Sequence, residues 1–300
     1  MNREDLQFSS QGVACRGYFY RPGGAAGERP CIIMAHGFGA TRECGIAPFA
    51  EAFCAAGYNV FLFDYRHFGD SGGEPRQLLS PRREVQDWLA ALAFMRQHEA
   101  VDASRICLWG TSFSGGLVTQ TAAEDGQVQC IIAQCPMMDG LASVLAVIGY
   151  GGLGQGLKLT AHGLLDLSRR ALGRSPHYIA SAGHPGDAAA MTAADCWDGY
   201  TWLIPDGVPN RVAAGIAVTL PLFRPVSQAG KVKCPALILI CDRDSVAPPA
   251  AAAKAAARMQ NAEVKHYPVG HFDVYRDEAM RTSLADQLRF LQTHLPVAEA

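Results

Sequence analysis

Two serines, Ser112 and Ser114, stand where the apolar run RICLW gives way to the small residues of GTSFSGG. A serine becomes a nucleophile when a tight strand-to-helix turn lifts its hydroxyl above a sheet. Such a turn needs small residues two before and two after the serine, because the strand and helix backbones nearly touch there. Ser112 is flanked in this way by Gly110 and Ser114, and Ser114 by Ser112 and Gly116, so composition permits either. The strand decides between them. RICLW is expected to end at Trp109, which puts Ser112 on the turn and Ser114 one step into the helix. The Phe113 amide would then sit at the helix N-terminus, where an oxyanion is favoured. The plain alternative is that both serines only cap the helix.

A serine hydroxyl needs a base to take its proton, and that base needs an acid to orient it. After a turn of this kind the acid and then the histidine follow, each beyond a later strand. The run PALILIC ends in DRDSVAPP, which offers Asp242 and Asp244, and EVKHYPV ends in GHFD, which offers His271 on a loop behind Gly270. His266 falls within its strand and His294 at the end of the terminal helix, so both read as structural. Asp139, after CPMM, is held in reserve as the acid.

The elements that must position these residues are legible as an alternation. LQFSS and VACRGYFY, separated by Gln11-Gly12, read as an antiparallel hairpin. The buried-strand runs CIIMAHG, NVFLFDYR, RICLWG and VQCIIAQCP then alternate with helical stretches, one of them opened by Pro81. Strands alternating with crossover-length helices imply a mostly parallel sheet covered on both faces. The alternation stops after Pro136 and resumes at Lys233, so the chain divides into a first core part (1–136), an inserted cap (137–232), expected to be helical, and a second core part (233–300) carrying the acid and the histidine.

Several function classes are disfavoured. Net charge is −2, with 26 basic and 28 acidic side chains, which suits neither a nucleic-acid backbone nor an anionic membrane. The polar start MNREDLQFSS is unlike a signal peptide, and no apolar run reaches membrane-spanning length without charged or Gly-rich interruption, so a soluble cytoplasmic protein is expected. Among the ten cysteines there is no CxxC and no zinc-like spacing with histidine. Cys31, Cys107, Cys130 and Cys241 lie in strand-like runs as reduced, buried thiols. Gly149, Gly151 and Gly154 satisfy G-x-G-x-x-G, but the motif lies in mid-chain and Asp166 follows too soon to bind a ribose. The stretch reads as a cap hinge. No metal or cofactor is expected.

The elbow, DRDSVAP and the histidine loop together resemble the α/β-hydrolase superfamily over the whole chain except the cap. That resemblance makes Asp244 the acid and leaves Asp242 to brace the turn. It also makes His-Gly-Phe of HGFGATRE an oxyanion loop, with the Phe38 amide as second donor and His36 holding the loop. In FDYRHFGDSGG it implies Asp64 and Arg66 as structural partners, with His67 unassigned. Within the superfamily, HGFGATRE, DYRHFGDSGGEPR and GTSFSGG resemble the Xaa-Pro dipeptidyl-peptidase-like group, which includes polyketide thiohydrolases and acyl transferases. No acidic pair for a substrate amino terminus is identifiable, so peptidase activity is not carried over. The expected reaction is cleavage of a small-molecule carboxylic ester or thioester through an acyl-enzyme on Ser112. The cap, with Trp197, Trp202, Tyr150 and Phe223, is expected to line a pocket for an apolar acyl group. The rivals are an acyltransferase with the same triad, a peptidase or amidase, and a catalytically idle ligand-binding protein. An apolar cap surface also leaves homo-oligomerisation open.

Overall fold

A computed structural model describes residues 1–24 and 27–297. The hairpin forms as expected: β1 (Asn2–Ser10) pairs antiparallel with β2 (Val13–Arg21). Gln11 and Gly12 take φ of 51° and 78°, the two left-handed residues that a two-residue hairpin loop demands. The alternating part follows as β3 (Arg29–Ala35), α1 (Ala47–Ala55), β4 (Asn59–Phe63), α2 (Pro81–Met95), β5 (Val101–Thr111), α3 (Phe113–Asp125) and β6 (Cys130–Gln134). The inserted segment holds α4 (Gly140–Ala171), β7 (Tyr178–Ala182), β8 (Ala189–Met191), α5 (Cys196–Leu203), β9 (Val212–Ala213) and α6 (Ile216–Thr219). The core closes with β10 (Ala236–Cys241), α7 (Pro249–Ala256), β11 (Ala262–Tyr267) and α8 (Asp277–His294).

The main sheet has eight strands in the order β1-β2-β4-β3-β5-β6-β10-β11. From β4 to β11 every neighbouring pair is parallel, and only the β1–β2 and β2–β4 pairs run antiparallel. Period-two alternation sends Ile33, Phe61 and Leu108 to one face, against Trp88 and Leu92 of α2, Leu117 and Val118 of α3 and the alanines of α7. Ile32, Met34, Leu62 and Trp109 go to the other face, against Phe49 and Phe53 of α1 and Phe290 and Leu291 of α8. Near-continuous apolar strands are what a sheet buried on both sides requires.

The cap departs from expectation in two respects. It is not purely helical, because β8, β7 and β9 form a small second sheet, parallel between β7 and β8 and antiparallel between β7 and β9. The Gly-rich stretch is not an open turn either. It lies inside α4, where Gly152 alone leaves helical geometry (φ 75°, ψ 171°) and breaks the helix into two segments. A single residue in that region is readily supplied by glycine, which has no Cβ to clash. By length and composition α4 is long and apolar enough to cross a bilayer, with mean hydropathy 1.3, and its Leu145, Leu153, Leu157 and Leu164 are exposed. Asp166 of the same helix is fully buried and accepts from the amides of His177 and Gly215, each at 2.9 Å, and from Nε of Arg170 at 2.9 Å. It ties α4 to the strand and helix that follow.

Candidate active site

Strand β5 runs two residues further than the apolar pattern suggests, through Gly110 and Thr111, and Ser112 alone makes the turn into α3. Its backbone is held at φ 56°, ψ −120°, a region non-glycine residues rarely adopt. The small neighbours are required sterically. A Cβ on Gly110 would meet the Ser114 carbonyl at 2.3 Å, and one on Gly116 would meet that of Met137 at 2.3 Å. Ser114 is fully buried on the inner side of α3, with its hydroxyl 2.7 Å from that of Tyr65, which also accepts from Nε1 of Trp88 at 2.9 Å.

His271 and Asp244 meet although 27 residues apart, since β10 and β11 are parallel neighbours and both residues follow their C-terminal ends. Nδ1 of His271 lies 2.6 Å from Oδ2 of Asp244. The other carboxylate oxygen of Asp244 accepts from the amides of Val246 and Ala247 at 2.8 and 2.7 Å, which fixes the carboxylate plane. Burial on its own would depress the His271 pKa, but the Asp244 charge and hydrogen bond outweigh it and raise the value to about 9. Asp242 turns elsewhere. Its Oδ1 pairs with Nδ1 of His266 at 2.7 Å near the surface, so it joins β10 to β11 and does not brace the acid turn. Asp139 caps α4 through the amides of Leu141 and Ala142 and is clamped by Arg224 at 2.8 Å, which accounts for its carboxylate. His294 pairs with Glu263 at 3.0 Å.

Phe113 is the first residue of α3, so its amide has no carbonyl a turn back within the helix. The Phe38 amide has no hydrogen-bond acceptor among the described residues. The two phenyl rings meet edge to face at 5.8 Å. Gly37 lets this loop lie against the elbow, because a Cβ there would stand 3.2 Å from Cβ of Ser112. His36 holds the loop from beneath. Its Nδ1 donates to the Gly37 carbonyl at 3.0 Å, and burial lowers its pKa to about 4, so it is a neutral ring. Asp64 and Arg66 are structural, but not partners of each other. Asp64 binds Arg42 at 2.5 Å, whereas Arg66 binds Asp87 at 2.7 Å. His67, buried at φ 75° with Nε2 3.0 Å from Arg83, shapes the turn that follows β4.

Ser112 and His271 line one cleft together with Gly37, Phe38, Tyr200 and Phe272. A second chamber, also mostly apolar, extends under the cap between Met137, Val147, Leu159 and Ile216. Phe38 and Met191 border both. Of the cap aromatics singled out from sequence, only Tyr150 lines this chamber. Phe223 packs on Phe113 at 4.8 Å, Trp197 lies against His184 at 4.8 Å, and Trp202 is exposed beneath Arg276.

Sequence reasoning missed Cys135. It directly follows β6 at φ 37°, and its sulfur lies within 4.8 Å of the His271 and Asp244 donor atoms and 3.5 Å from the Tyr275 hydroxyl. These three side chains are the one group among the described residues with metal-ligand proximity. Asp244 and His271 are already spent on each other, and the side chains of all three are buried. The available signal was position alone, since Cys135 ends the strand between those carrying the serine and the acid.

A model described as "Alpha/beta hydrolase family" matches residues 32–282. The chain is 41% identical over 295 residues to the Quorum-quenching protein AidA of Acinetobacter baumannii, covering 98% of this chain and 95% of that one. It is also 41% identical over 128 residues to Thiohydrolase aneE of Aspergillus aculeatus, but that match covers 43% of this chain and 39% of the relative. In fold it resembles the crystal structure of the alpha/beta hydrolase GrgF from Penicillium sp. sh18, with TM-score 0.83 at 23% identity, covering 98% and 99% of the two chains.

Proposed function

Since the chain belongs to the alpha/beta hydrolase family, we propose that it is a serine hydrolase cleaving a small carboxylic ester or thioester through an acyl-enzyme on Ser112. The observation that carries this reading is the buried His271–Asp244 hydrogen bond of 2.6 Å, bordering the same cleft as a serine held on a strained turn. Nε2 of His271 takes the Ser112 proton as Oγ attacks the carbonyl carbon. The carbonyl oxygen gains the negative charge and is held by the amides of Phe38 and Phe113. Asp244 stabilises the imidazolium, which then protonates the leaving alcohol or thiol. Water, deprotonated by His271, attacks the acyl-serine and releases the acid and the free hydroxyl.

The apolar chamber under the cap supports an apolar acyl group lying beyond Phe38. Acyl transfer is a second reading. It is favoured by the separate cleft at Ser112 and His271, whose walls include Ala40, Ile46, Leu203 and Ile204 and would shelter an acceptor alcohol or amine.

A fluorophosphonate probe, applied beside a Ser112→Ala variant and mapped by mass spectrometry, tests the nucleophile. One adduct on Ser112, lost in the variant, is expected together with turnover of p-nitrophenyl esters or acyl thioesters. Folded protein without an adduct would remove the proposal's basis. Adding an alcohol or amine and following product partition separates hydrolysis from transfer.

A further inference from the structure

The chamber under the cap is apolar with one exception that the fold does not use. Ser143 lies on α4 one turn beyond the Asp139 cap. It is 4% exposed and lines the chamber, yet its hydroxyl has no hydrogen-bond partner. A helical serine commonly donates to the carbonyl four residues back. Here the Asp139 carbonyl takes the Ser143 amide at 3.1 Å and the hydroxyl takes nothing. The other hydroxyls of the wall are engaged: Tyr150 accepts the Thr192 amide at 3.4 Å, and Thr160 donates to the Gly156 carbonyl at 2.8 Å. A buried hydroxyl left unpaired is destabilising unless a ligand atom completes it.

The lining that Ser143 shares says what that atom belongs to. Ser143 shares the chamber wall with Met137, whose amide donates to the Ser112 carbonyl at 2.8 Å, and with Phe38, which also borders the Ser112 cleft. An acyl chain running from Ser112 past Phe38 into the chamber would meet this wall. Its carbons satisfy Val144, Val147 and Leu159 but leave the hydroxyl empty. We propose that the chamber selects acyl groups bearing an oxygen substituent, an oxo or hydroxyl group on the chain, and that Ser143 donates to that oxygen. The inference rests on the acyl-enzyme reading above, and it makes Ser143 a specificity determinant.

The test compares octanoyl, 3-hydroxyoctanoyl, 3-oxooctanoyl and 5-oxooctanoyl thioesters of N-acetylcysteamine. At least one oxygenated thioester is expected to exceed octanoyl in kcat/KM by about tenfold, the worth of one neutral hydrogen bond. Ser143→Ala should bring that ratio close to one, and Ser143→Thr, which keeps a hydroxyl, should retain it. The same comparison is made without turnover, by calorimetric binding of 3-hydroxyoctanoate, 5-oxooctanoate and octanoate to the Ser112→Ala protein and to that protein also carrying Ser143→Ala. If no thioester is hydrolysed, the acyl-enzyme reading fails while the binding ratio still decides the assignment of Ser143. No oxygenated ligand being preferred, or a preference that survives Ser143→Ala, would overturn it.

Discussion

The hydroxyl of Ser114 lies 2.7 Å from that of Tyr65, deep under α3, whereas Ser112, two residues earlier, opens onto the cleft. The two serines share one short motif but face opposite environments, because the elbow ends at Ser112 and the helix turns Ser114 inward. Ser114→Ala should therefore keep fluorophosphonate labelling at Ser112. It should lower stability by about 1–2 kcal/mol, since Tyr65 loses a buried partner. Chemical denaturation beside mass-spectrometric labelling checks both, and an adduct that disappears in Ser114→Ala folded protein would reverse the assignment.

The raised pKa of His271 sets a pH dependence. Below about 9 the ring is held protonated by Asp244 and cannot take the Ser112 proton. In the free enzyme kcat/KM should climb with pH and level off above about 9. The sign for stability is opposite. The imidazolium–Asp244 pair contributes fully below the ordinary histidine value of 6.5, and the contribution is lost as pH rises through about 9. In Asp244→Asn the largest raising influence is lost, so the kinetic pKa should fall while the plateau rate drops by about 10⁴. A pH–rate profile of both proteins measures this.

Gly37 can be replaced only by disturbing the oxyanion loop. A methyl group there would stand 3.2 Å from Cβ of Ser112 and 3.4 Å from the Thr111 carbonyl, so the loop carrying the Phe38 amide must shift. Gly37→Ala should cut kcat about 10²-fold, the scale of losing one oxyanion donor, with little change in KM. An unchanged kcat would show that the Phe38 amide is not used.

Asp166 is the latch of the cap. Asp166→Ala leaves the amides of His177 and Gly215 without their acceptor and Arg170 without its partner, so a loss of about 3 kcal/mol is expected. The loss should be local to the cap, read as faster proteolysis within 140–220 while the core remains protected.

The sequence by itself determined the parallel core and the order of its parts. Short apolar runs alternating with crossover-length helices fit buried strands of a parallel sheet, and a strand-to-helix turn with flanking small residues identifies itself by sterics. Ser112 and His271 are legible as candidates at strand ends, whereas the HGF loop takes its role from the resemblance. The apolar pattern ends two residues before the strand does, because Gly110 and Thr111 carry little apolar signal although they remain in the β5–β6 ladder. The division of labour between Asp242 and Asp244 required the resemblance, since two carboxylates two residues apart look alike until β11 brings His271 to one and His266 to the other. Pairings across the chain were beyond reach for the same reason: Asp64 with Arg42 and Arg66 with Asp87 depend on which loops the sheet order brings together. The cap was the least legible part. Its apolar residues serve its own packing, the chamber and an exposed face alike, and only the tertiary structure decided that Tyr150 and Ser143 border the chamber while Phe223 and Trp202 do not.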